Sequence, residues 1–96
     1  MKDYSDIQFQ LDLSRQEMRI GKVDDAVEAL SSAFSLVRNL SGAQFRLFAI
    51  DIWNDAHNII LSSGQNYRAG INVALLKGDI ELLSNERGEP LAFPEL

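Results

Sequence analysis

From Val23 to Val37 the apolar positions recur at helical spacing. Val23, Ala26, Val27, Leu30, Ala33, Phe34 and Val37 share one side, and Asp24, Glu28, Ser31, Ser35 and Arg38 fall opposite. That period predicts a surface helix packed along one face. Asp24 and Asp25 stand at its start, where carboxylates can cap free amides and meet the positive end of the dipole. A longer helix is predicted over Gly42 to Ser63. Phe45, Phe48, Ala49, Ile52, Trp53, Ala56, Ile59 and Ile60 make one broad apolar face. Leu47, Ile50 and Leu61 add a separate strip on the far side, with Asp51, Asn54, Asp55 and Asn58 between the two on one flank. The broad face should make the core, leaving the strip for a second neighbour.

The N-terminal segment is ambiguous by pattern alone, because Ile7-Gln8-Phe9-Gln10-Leu11-Asp12-Leu13 alternates as a half-buried strand would. The residues in front of it favour a helix. Ser5 can cap, Gln8 three residues on can reach back to complete a capping box, and Tyr4 and Phe9 are spaced for a hydrophobic staple. The same grammar returns at Ser41 and Gln44, with Leu40 and Phe45 as the staple. At about 100° per residue, Ile7, Leu11 and Met18 lie on one side of this first helix and Phe9, Leu13 and Ile20 on the other. A helix apolar on two faces needs neighbours on both. Gly21 and Gly64 stand where left-handed C-terminal caps are expected.

Beyond Gly64 the stretch from Asn66 to Leu83 contains Gly70 and Gly78 and is apolar all round in its middle. It suits a short buried helix or two strand-like pieces. Ile80 to Phe93 suits a β-hairpin with Gly88 in the left-handed position, and a helix ending between Ser84 and Gly88 fits nearly as well. A fourth helix followed by a tail is preferred, with Pro90 and Pro94 holding the last residues extended. The expected architecture is all-α: a small bundle of three or four helices built on an antiparallel helical hairpin. It forms a single domain over residues 1–96, with an N-terminal segment 1–5, a helical core 6–83 and an irregular tail 84–96 that has a short β-hairpin as its alternative.

Composition narrows the functions. A chain of 96 residues with 46% hydrophobic and 24% charged residues has a modest core but enough apolar surface to fold. The absence of cysteine removes disulfides, thiolate metal sites and cysteine nucleophiles, and fits a cytoplasmic protein. No apolar run marks an export signal or reaches the roughly 18 residues of a membrane span. The net charge is −5, and the nine basic residues are scattered without an adjacent pair. That argues against a nucleic-acid partner, since phosphate backbones call for clustered Lys and Arg.

No catalytic constellation stands out. His57 is the single histidine, too few for a zinc site, and it points away from Asp51 and Asp55 on the same helix. Asp51 and Asp55, one turn apart, have the spacing of a carboxylate pair for acid-base work or magnesium, but also that of an ordinary solvated helix face. Gly21-Lys22 lacks the rest of a phosphate loop. Neither an enzymatic role nor a cofactor or metal is therefore expected.

Residues Ile7 to Leu40 resemble one hairpin of the tetratricopeptide-repeat family, a helix-turn-helix unit of about 34 residues. Leu13 and Met18 stand where that family's first helix packs inward. Gly21 matches the small residue at the turn, and Val23 takes the place of the usual aromatic. Ala26, Leu30 and Ala33 match the small, large and small positions of the second helix. Gln10, Ser14 and Arg38 depart from the family's tryptophan, glycine and proline, and the next 34 residues do not repeat the spacing. The resemblance implies a non-catalytic scaffold that offers a groove to a partner peptide or helix.

The expected function is thus a protein-interaction module, an adaptor, small chaperone or regulator, with homodimerisation as one form of binding. The candidate docking residues are Phe9, Leu13 and Ile20 on the first helix and Leu47, Ile50 and Leu61 on the third. The runner-up is an acidic inhibitor or antitoxin-like regulator occupying a basic site of a nucleic-acid-processing protein, whose affinity would fall steeply with salt.

Overall fold

The computed structural model describes residues 4–63 and 67–88. They form four helices, α1 (Ser5–Arg19), α2 (Val23–Val37), α3 (Gly42–Ser63) and α4 (Tyr67–Glu86), and no strand occurs among the described residues. The all-α bundle expected from periodicity is the fold. The limits of α2 and α3 are those the pattern predicts, because each stripe runs unbroken between turn residues. The preferred fourth helix is also present and extends through Glu86, so Ile80–Glu86 is helical rather than one arm of a hairpin. Gly64 and residues 89–96, with Pro90 and Pro94, lie outside the described residues.

The α1–α2 turn is a Schellman ending. Gly21 adopts φ +80°, its amide donates to the Met18 carbonyl at 3.2 Å, and the Lys22 amide donates to the Glu17 carbonyl at 2.9 Å. A left-handed residue with that bond pair is the reason glycine suits this position. α4 ends in a similar way, with Gly88 at φ +67° donating to Asn85.

Two expected start signals are not used. Tyr4, not Ser5, is the N-cap of α1, and no side-chain cap bond forms there. The Tyr4 ring packs on Phe48 of α3, with centroids 5.5 Å apart, while Phe9 points into solvent, so the Tyr4–Phe9 staple is absent. The contact with α3 sets where the chain enters α1, and tertiary packing overrides the local cap. Lys22 is likewise the N-cap of α2 without a side-chain bond. Asp24 and Asp25 therefore act on α2 through its dipole and not as caps.

α2 is the central helix. It touches each of the other three and buries Ala26, Val27, Ala29, Leu30, Ala33, Phe34 and Val37. α1 packs on it through Ile7, Leu11 and Ser14, and the Ser14 hydroxyl donates to the Ala26 carbonyl at 2.9 Å across the hairpin. α3 contributes Phe45, Ala49, Ile52, Trp53, Ala56 and Ile59, and α4 adds Ala69, Val73, Leu76 and Ile80. The α2–α3 connection is held from the far end of the chain. The Arg87 guanidinium donates to the carbonyls of Leu40 and Arg38 and lies 4.4 Å over the Phe45 ring.

The molecule is a slab, 36 × 28 × 17 Å between its outermost Cα atoms. Helices pack with axes about 8–10 Å apart, so the short dimension holds two layers. Each outer helix then has one face inward and the opposite face toward solvent. This corrects the expectation that α1 is sandwiched. Its Ile7 and Leu11 face is buried, and Phe9 and Ile20 opposite are exposed.

Candidate functional site

The six residues singled out from the sequence divide by exposure. Phe9, Ile20, Leu47 and Leu61 are 62 to 67% exposed, whereas Leu13 and Ile50 are half-buried. The two strips lie on different helices. Leu13 lines a groove of about 270 Å³ between α1 and α2 that also holds Glu17, Asp25 and Glu28. One oxygen of Glu17 is buried there without a hydrogen-bond partner among the described residues.

The sequence reading missed the most regular apolar surface. Ile71, Leu75 and Leu82 of α4 are 58 to 63% exposed. At about 100° per residue they fall, with Gly78, inside an arc of about 60°, diametrically opposite the buried Ala69, Val73, Leu76 and Ile80. Two apolar stripes facing apart cancel in any one-sided periodicity measure, so the stretch reads as apolar all round. The signal that would have found the second stripe is its i, i+4, i+11 spacing. Leu75 also borders a groove of about 560 Å³ between α2 and α4, whose polar walls carry Asp24, Glu28 and Asp79 as well as Arg38 and Arg68.

Of the residues weighed for chemistry, Asp55 and His57 make contacts between helices, and Asp51 is exposed. Asp55 sits at the α1–α3 contact, where its carboxylate accepts a 3.0 Å bond from Arg15 Nε. Desolvation raises its pKa above the ordinary carboxylate value of 3.8, opposed by the Arg15 hydrogen bond and charge and aided by the nearby Asp51. It is not part of a solvated face, as its spacing from Asp51 suggested. That contact borders a third groove, of about 320 Å³, with Ser14, Arg19 and Asn58 in its walls.

His57 stacks on Trp53, with centroids 5.7 Å apart and planes 4° from parallel. Lys77 Nζ lies 3.2 Å from His57 Nδ1 and 4.2 Å from the centre of the indole ring. An ammonium can only donate, so Nδ1 is the acceptor of this bond. The cluster ties α4 to α3 by a cation–π contact and a hydrogen bond. Among the described residues no group of three His, Cys, Asp or Glu side chains is arranged to hold a metal ion.

The fold defines a four-helix all-α protein with apolar residues on the outer sides of α1, α3 and α4. Comparison with known proteins adds no relative: no family model, curated protein or solved structure matches the chain. The tetratricopeptide likeness of residues 7–40 therefore rests on residue pattern, with Ala26, Leu30 and Ala33 fully buried and Gly21 at the turn. Among the described residues, no helix is long and apolar enough to cross a membrane.

Proposed function

We propose that this protein is a non-enzymatic interaction module that docks another protein against the outer apolar faces of its helices. The observation that carries the reading is the outer stripe of α4, three large aliphatic side chains in line on a helix whose opposite face already supplies the core. Single exposed apolar residues are ordinary, whereas an aligned set on a helix is the usual form of a buried protein interface. Phe9 on α1, Ile20 at its C-cap, and Leu47 and Leu61 on α3 extend the same character to two further helices.

The test is affinity capture from host extract with the wild type, Leu75→Asp and Leu61→Asp, each first shown to be helical by circular dichroism. Loss of a bound protein on either substitution is expected, with modest dependence on salt. Capture that survives both substitutions but disappears as salt rises would transfer the function to the acidic surface. The groove shared by Glu17, Asp25 and Glu28 is the place where a basic target would then bind.

A further inference from the structure

We infer that the occupant of the outer α4 face is a second copy of this chain, packed antiparallel about a two-fold axis that passes between Leu75 and Gly78. The inference rests on the docking role proposed for that face and names its partner. An antiparallel pair centred there sets Ile71 opposite Leu82 of the second copy, and Leu75 opposite its Gly78. Large residues meet at both ends, and in the middle a leucine meets a position with no side chain. A two-fold contact has to be self-complementary in this way.

Two of the charges beside the stripe fit the same operator. Arg68 and Glu86 are both exposed, and both fall about 60° round the helix from Ile71, on the Leu75 side. Neither makes an ion pair among the described residues. A two-fold axis perpendicular to the helix keeps each residue on its own flank and reverses the direction of the chain. Arg68 of one copy then lies within one residue of Glu86 of the other, twice per dimer. A parallel pair would instead leave Arg68 and Glu86 about 27 Å apart along the helix, with the helix dipoles aligned.

Gly78 supports the close approach. It lies inside a helix, where glycine weakens the backbone, and a Cβ built on it meets no atom within 4 Å. Packing inside the chain therefore gives no reason for a glycine there. A leucine from a second helix does.

Sedimentation equilibrium on the full chain, from micromolar to millimolar, provides the test. The wild type should dimerise. Leu75→Asp and Gly78→Leu should stay helical but become monomeric, and Gly78→Leu should not lose monomer stability, because its added carbons start in open space. Arg68→Glu and Glu86→Arg should each weaken the dimer by about tenfold, and the double swap should restore it.

Register can be read by disulfide trapping, since the chain has no cysteine of its own. Ile71→Cys mixed with Leu82→Cys should cross-link. Neither variant should do so alone, because two copies of position 71 would be about 16 Å apart along the axis, beyond disulfide reach. A wild type that is monomeric at millimolar concentration, or a dimer unaffected by Leu75→Asp, overturns the inference. If in the first case Leu75→Asp still abolishes capture of a host protein, the docking role stands with another occupant. If Leu75→Asp unfolds the chain, the stripe is core and both readings fail.

Discussion

Aspartate placed at Ile52, Ile50 and Leu61 separates core from surface on a single helix. Ile52 is fully buried in the cluster with Leu30 and Phe34, Ile50 is half-buried, and Leu61 is 67% exposed. Ile52→Asp forfeits the burial of a large aliphatic side chain, about 2–3 kcal/mol. It also leaves a carboxylate with neither water nor a counter-charge, at a further cost of several kcal/mol. Domains of this size are stable by roughly 5–10 kcal/mol, so Ile52→Asp should leave the chain largely unfolded. Ile50→Asp loses part of the same burial, and its carboxylate can turn to solvent. The expected cost is about 1 kcal/mol, and Leu61→Asp should fall within about 0.5 kcal/mol of the wild type. Urea titration followed by circular dichroism and by the fluorescence of the buried Trp53 reads all three variants, with a red-shift on unfolding. An Ile50→Asp or Leu61→Asp protein as unfolded as Ile52→Asp would refute the separation, and the α3 strip would then be core.

Three further outcomes follow from particular contacts. Gly78→Ala, made in a Leu75→Asp background to remove self-association, should stabilise the fold by about 1 kcal/mol and raise Tm by about 4–8 °C in thermal melts, because the new methyl group meets nothing and the helix is stiffened; a lower Tm would show an unseen clash. Arg87→Ala should cost about 1–2 kcal/mol and speed amide exchange at the α2–α3 turn, since it removes the bonds to Leu40 and Arg38 and the contact with Phe45; Arg87→Lys should not restore the full effect. Because the folded-state pKa of Asp55 is raised, its contribution to stability is greatest below the unfolded value near 3.8 and is lost as pH rises through the folded value. Asp55→Asn should therefore gain stability relative to the wild type between pH 3 and pH 6 in paired denaturation curves, and a change of the opposite sign would mean that the Arg15 interaction outweighs desolvation.

How much was legible depended on whether a residue's partner was local. The stripe from Val23 to Val37 and the broad face of α3 come through directly, because each has one inward side and glycine or polar breaks at its ends. Gly21 was readable for a similar reason, its left-handed turn being set by a few neighbouring bonds. The cap at Ser5 failed because Phe48, far along the chain, positions Tyr4. Asp55 read as a solvated carboxylate because nothing in its own helix announces Arg15, forty residues away. Lys77 over Trp53 was out of reach for the same reason. Four of the six docking candidates are exposed, and Leu13 and Ile50 are half covered. The α4 stripe was hidden by its own symmetry. Equal apolar weight on two faces looks like burial until the slab shows that only one face has a neighbour.

Carbene footprinting of the full chain, purified at increasing concentration and then in host extract, asks whether anything covers the outer face of α4. The expected result is strong labelling at Ile71, Leu75 and Leu82 in dilute solution, lost as concentration rises or extract is added, with Val73 and Ile80 unlabelled throughout. Labelling of Ile71, Leu75 and Leu82 that stays constant under every condition would contradict the docking role of this face.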